Sequence, residues 1–192
     1  MGVAPSYSII QRESGLPKIT MKSQGVDEFC ADMERLASEF GRDLREPLRE
    51  CADIIHTDIG TNFREAISPD GESWPPRKDE GFTHPLLDLS GSLKAAATGE
   101  GTGAVTRIED TTLAIGVDAS VEEGGLPGAF VHQFGATIYP VKAKKLSWLN
   151  SAGERVFADS VTIPPRPYLG FSTTASDLCV EEIGAHLEGT LA

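Results

Sequence analysis

Long apolar runs are missing from this 192-residue chain, and nothing in it approaches the roughly 18 residues needed to cross a bilayer. The first ten residues, Met1 to Ile10, hold no basic stretch followed by an apolar one, so a secretory signal is not expected. Gly2 with Ser6 is only a weak match to a myristoylation site, and no basic patch follows it. Cysteine is scarce. Cys30, Cys51 and Cys179 are widely spaced, with no CxxC and no Cys/His ligand spacing, which argues against a disulfide framework or a zinc site. They read as small buried side chains in a reducing compartment. The four histidines, His56, His84, His132 and His186, make no HExxH or HxH pair, so a metal site is not expected.

Catalytic signatures are equally sparse. There is no GxSxG elbow. Gly99, Gly101 and Gly103 read as a flexible link and not a phosphate loop, since no strand precedes them and no Lys-Ser/Thr follows. The acid pairs Glu122-Glu123 and Glu181-Glu182 read as solvated loop and helix faces. His132 is the best single candidate for catalysis, and sequence nominates no partner for it. Neither a cofactor nor a turnover chemistry is indicated.

Basic residues are the minority, 17 against 29 acidic, for a formal charge of −12. Such a chain gains little from counterion release on a phosphate backbone, so sequence-specific nucleic-acid binding is not expected. The Lys142-Ala-Lys-Lys145 cluster reads as a solvated strand edge that resists stray pairing.

What is present is the composition of an ordinary globular protein, 40% hydrophobic and 24% charged, long enough for one domain with a real core. Residues 1–15 read as an N-terminal arm and residues 16–192 as a single domain. Leu16 to Lys22 alternates as a short strand. From Asp27 the apolar positions Val26, Phe29, Met33, Leu36, Phe40 and Leu44 recur at helical spacing. Pro47 is expected to kink or break that helix, and a second uses Leu48, Cys51, Ile54 or Ile55, Ile59 and Phe63 before Pro69 stops it. A short helix is expected over 84–97, with Leu86, Leu89 or Leu87, and Leu93 buried.

From Ala104 the period becomes two. One hairpin is expected around the Glu109–Thr111 turn, and another joins strands 143–149 and 155–163 through Asn150–Gly153. Between them 130–136 is a compact apolar turn or half-helix. The end, 173–191, is a helix using Leu178, Ile183 and Leu187, capped near Thr174 or Ser176. Runs of one type, not strict alternation, give an α+β class. N-terminal helices pack on a mostly antiparallel sheet built from hairpins, with a C-terminal helix.

The most informative stretch is Val161-Thr-Ile-Pro-Pro-Arg-Pro-Tyr-Leu-Gly-Phe171. Three prolines in four positions cannot sit in a helix or a paired central strand. The chain must leave a strand at Ile163, pass Arg166 stiffly and deliver Tyr168, Leu169 and Phe171 to a set place. Two readings stand: a stiff exit whose aromatics finish the local core, or a projection toward another chain. Trp74, beside Pro75 and Pro76 in the turn cluster 68–76, has the same two readings.

Four pieces together resemble the phage virion morphogenesis (tail completion) family of Mu-like phages. They are Ile67-Ser-Pro-Asp-Gly-Glu-Ser-Trp74-Pro, Pro85-Leu-Leu-Asp-Leu-Ser-Gly91-Ser-Leu93, His132-Gln-Phe-Gly135 and Ile163-Pro-Pro-Arg-Pro-Tyr-Leu-Gly-Phe171, in that order across residues 16–175. Asp88-Leu-Ser-Gly stands where the family has Leu-x-x-Thr/Ser-Gly, and the 122–128 loop is enlarged. The resemblance implies a non-enzymatic structural component of the tail or neck, without cofactor, assembling as a ring that is often sixfold. Its partners would be copies of itself and other tail or neck proteins, with DNA passing through an acidic lumen. Trp, Tyr and Arg dominate interface hot spots. The subunit-interface candidates are therefore Trp74, His132, Gln133, Phe134, Arg166, Tyr168 and Phe171. Two other classes remain open: an enzyme with a site around His132, and an acidic adaptor that binds one partner as a monomer.

Overall fold

The computed structural model describes residues 43–118, 120–121 and 128–189. The expected arm, the 16–22 strand, the helix after Asp27 and most of the 122–128 loop lie outside those residues.

Helix α1 (Arg45–Glu65) carries Leu48, Cys51, Ala52, Ile55, Ile59 and Phe63 as one buried stripe. Asp43 and Leu44 before it are not helical, and the helix that Pro47 is expected to kink or break lies outside the described residues. The proline stands in the first turn, where an amide has no helical acceptor and a fixed φ does no harm. The helix ends at Ala66 in the left-handed conformation, its amide donating to the Asn62 carbonyl. Helix α2 covers only Ser92–Ala97. The expected helical stretch before it is a turn, because Leu87 and Gly91 have φ of 56° and 77°, which a right-handed helix cannot accept. Leu87 and Leu93 are buried, while Leu89 is exposed.

Strands β1 (Ala104–Ile108) and β2 (Leu113–Val117) form the expected antiparallel hairpin, pairing Ala104 with Val117 and Ile108 with Leu113. Its Ile108, Leu113, Ile115 and Val117 lean on the core. Helix α3 (Gly128–Phe134) then leads into β3 (Ala136–Ile138). Strands β4 (Leu146–Leu149) and β5 (Arg155–Ala158) form the second expected hairpin. The strand expected over 155–163 is in fact two. It breaks at Asp159-Ser160, and β6 (Val161–Ile163) pairs antiparallel with β3 instead of β4. The result is one interrupted two-stranded ribbon, in which seven residues, 139–145, stand opposite two, 159–160.

Helix α4 (Thr173–Gly189) packs along α1. Its cap is Ser172 and neither Thr174 nor Ser176: the Ser172 hydroxyl accepts the Ala175 amide at 3.2 Å. Asp58 of α1 fixes that cap, accepting the Ser172 amide and hydroxyl at 2.8 Å each. Cys51 and Cys179 face each other across the two helices as buried free thiols, each sulfur 3.8–3.9 Å from the other's carbonyl. Burial and the neighbouring thiol push Cys51 upward, so it is held protonated. The core is thus α1 covered by α4 on one side and by α2 with the first hairpin on the other. The α+β class holds, and among the described residues the antiparallel strands form three separate pairs instead of one sheet.

Candidate functional site: the ribbon and its clamp

The proline-rich segments 74–76 and 164–167 meet side by side, and their chemistry dictates how. Proline has a carbonyl and no amide hydrogen, so two such segments offer acceptors to each other and few donors. The missing donors come from side chains that only donate. The Trp74 indole nitrogen donates to the Pro167 carbonyl at 2.8 Å. In return, the Arg166 guanidinium donates to the Pro75 carbonyl at 2.8 Å and the Pro76 carbonyl at 3.2 Å. Arg166 is buried, and desolvation with the nearby Arg77 charge lowers its pKa from the ordinary guanidinium value.

Local turns aim the two arms of this clamp. A Ser68–Gly71 turn, closed by Glu72 donating its amide to the Ser68 hydroxyl, reverses the chain, and Trp74 returns to donate its amide to Ala66. The indole then meets Phe63 edge-on, with ring centroids 5.7 Å apart. Tyr168 lies on the far side of Phe63 at 5.4 Å. Each such ring pair adds about 0.5–1.5 kcal/mol beyond its burial. Tyr168 is fully buried, its hydroxyl donates to the Ala129 carbonyl at 2.9 Å, and burial pushes its pKa up.

Helix α3 closes the clamp from above. The His132 carbonyl accepts the Arg166 amide at 2.7 Å. The Gln133 side-chain oxygen accepts the amides of Tyr168 and Leu169 at 3.0 Å each. Gly135 then turns the chain at φ 72°, and a Cβ there would lie 2.8 Å from the Pro165 nitrogen. The approach of α3 to the proline segment therefore requires glycine.

The residues singled out from sequence are thus brought together, but inside one subunit. Trp74, Gln133, Arg166 and Tyr168 are buried in the chain's own interior. His132, Phe134 and Phe171 are half-buried. Of the two readings of Trp74 and of the 161–171 stretch, the inward one describes these side chains. Sequence gave no signal for the donor–acceptor exchange between the two proline segments; a count of missing amide donors in each would have suggested it.

What the clamp holds out is the ribbon. Trp148, Leu149 and Phe157 are 40%, 55% and 60% exposed, and Tyr139 and Val141 in the 139–145 bulge are more so. Register puts Leu149, Phe157, Ser147 and Arg155 on one face, with Trp148, Leu146, Val156 and Ala158 on the other. Both faces of the outer hairpin are therefore apolar in part, and β4 and β5 pack chiefly on each other. Its tip is tied to the body by Asp79, which accepts the Ser151 amide at 2.8 Å and its hydroxyl. Those bonds hold the Asp79 carboxyl below its usual range. Gly81 permits the contact, since a Cβ there would fall 2.2 Å from the Ser151 hydroxyl oxygen.

Among the described residues, no three His, Cys, Asp or Glu side chains gather as a metal site, and no helix is long and apolar enough to cross a membrane. Compared with known families, the chain matches the model described as the phage virion morphogenesis family over residues 25–188. No curated protein and no solved structure matches it.

Proposed function

This chain belongs to the phage virion morphogenesis family, with a structural or assembly role in the phage particle, and from that premise we propose that it oligomerises as a ring in tail completion or neck joining. It works without turnover and without a cofactor. Copies of the chain are its first partners, and other tail or neck proteins are its second. An acidic chain suits the lining of such a ring, since DNA passing through would not adhere to it.

One observation carries this reading: an apolar ribbon held out from the core by a buried, hydrogen-bonded clamp. A two-stranded hairpin is marginally stable alone in water, and its two free edges invite pairing. Building a rigid base under an exposed apolar arm makes physical sense when the arm is covered in an assembly.

Light scattering coupled to size exclusion, across concentration and salt, tests the proposal. A closed multimer near six copies is expected. A species of one chain's mass at every concentration would overturn the ring and favour a monomeric adaptor.

A further inference from the structure

Charge is unevenly spread along this chain. The ribbon 136–163 holds Lys142, Lys144, Lys145 and Arg155 against Glu154 and Asp159, a net +2. The whole chain is −12, so the remainder carries −14. Helix α4 contributes Asp177, Glu181, Glu182 and Glu188 to that excess, and it has no lysine or arginine.

The outward face of α4 has a second property. Ala175, Cys179, Ile183 and Leu187 turn inward against α1. Thr174, Asp177, Leu178, Glu181 and Glu188 lie on the exposed side, where Leu178 is 45% exposed; Val180, two residues on, flanks the opposite edge of the buried stripe. Leu178 framed by acids on α4 thus complements the exposed apolar groups that the ribbon carries beside its lysines. Sequence singled out Leu178 as a core residue at helical spacing; its exposure is what makes this face unusual.

We propose that the ribbon of one copy docks on the acidic outer face of helix α4 of a second copy, with Phe157 and Leu149 against Leu178. This inference rests on the ring reading above and names its interface. The two patches are different surfaces, so the contact is head-to-tail, and repetition closes a ring when the rotation between copies permits. The charges steer and register the contact, and the apolar groups supply most of its strength. The segment 1–42 is a poorer occupant for the ribbon. Its net charge is only −1, from six acidic and five basic residues.

Charge exchange in the full-length chain tests this. One set carries Lys142→Glu and Lys144→Glu, a second carries Asp177→Lys and Glu181→Lys, and a third carries all four changes. These side chains are exposed, so thermal unfolding should match the wild type in every set. Each of the first two sets should weaken self-association by about tenfold or more at low salt, with recovery in the third. A wild-type multimer that neither set disturbs would overturn the docking and leave the ring standing, with the ribbon covered by residues 1–42 or by another virion protein. Loss without recovery in the four-fold variant would also overturn it. A wild type that never exceeds one chain's mass would overturn the ring itself. Phe157→Ser supplies the apolar control: it should weaken the multimer and leave the unfolding temperature unchanged.

Discussion

Gln133 pairs with Leu169 as a strand neighbour would: its side-chain oxygen accepts the Leu169 amide at 3.0 Å, and its side-chain nitrogen donates to the Leu169 carbonyl at 3.1 Å. The same oxygen accepts the Tyr168 amide. Only the carbonyl oxygen of an amide can accept two backbone N–H groups, so the orientation is chemically forced. One buried side chain thereby supplies the ladder that Pro164, Pro165 and Pro167 prevent the backbone from making.

Gln133→Glu should expose that dependence. A carboxylate can still accept both amides, but it faces the Leu169 carbonyl with charge where a donor stood. At neutral pH a loss of about 1–3 kcal/mol is expected. Burial beside a carbonyl raises the folded pKa of the new carboxyl above its unfolded value. Protonation therefore favours the folded state, and the difference from wild type should shrink as pH falls from 7 toward 4.5. Paired denaturant titrations would measure it; a gap that stays constant with pH would mean the second bond carries no weight.

Trp74 and Arg166 read from sequence as candidate subunit anchors. Their burial changes the expected outcome. Trp74→Phe keeps a ring against Phe63 and loses the donor to Pro167, costing about 1–2 kcal/mol. Arg166→Ala strands the Pro75 and Pro76 carbonyls, and a cost near 3 kcal/mol follows from two lost charge-assisted bonds. Arg166→Lys should recover only part of this, because an ammonium lacks the planar fork that spans both carbonyls. Chemical unfolding of the isolated subunit checks all three, and unaltered midpoints would return these residues to the surface role.

Acid should release the ribbon tip before the core. Asp79 accepts two bonds from Ser151 and a third from the Gly81 amide, and its carboxyl is depressed below the usual 3.8. A depressed carboxylate stabilises the fold fully above its unfolded pKa, and that contribution fades as pH falls through the folded value. The tether is thus intact at pH 5 and lost progressively below about 4. Amide hydrogen exchange at Ser151 should rise in that window, and Asp79→Asn should show the rise already at pH 6. Equal protection in both proteins would exclude the tether.

Much of this fold was legible because its signals are local. Turn residues marked both hairpins, and the stripe from Leu48 to Phe63 marked α1. The break at Asp159-Ser160 was not legible, since β6 follows the same alternation as β5 and only its distant partner β3 distinguishes it. The Ser172 cap was hidden for a similar reason: its orientation depends on Asp58, 114 residues away. At the clamp, residues singled out from sequence come together, and sequence left open whether they face inward or outward. Trp, Tyr and Arg serve an interior and an interface through the same contacts, and what decides between them is which carbonyls happen to lie nearby. The ribbon's exposed Trp148 and Phe157 drew no notice because strand alternation assigns such residues a buried side by default.

The unequal lengths opposite one another in the ribbon, residues 139–145 against 159–160, have a mechanical consequence. The inner pair is registered by the clamp and the outer pair by its own Asn150–Glu154 turn, so neither alignment constrains the other. Slack gathered at 139–145 works as a joint: residues can be added or removed there while the base keeps its hydrogen bonds and Asp79 keeps its hold on the Ser151 tip. Variation in that one short stretch of chain then leaves both paired segments of the ribbon, and the body beneath them, in register.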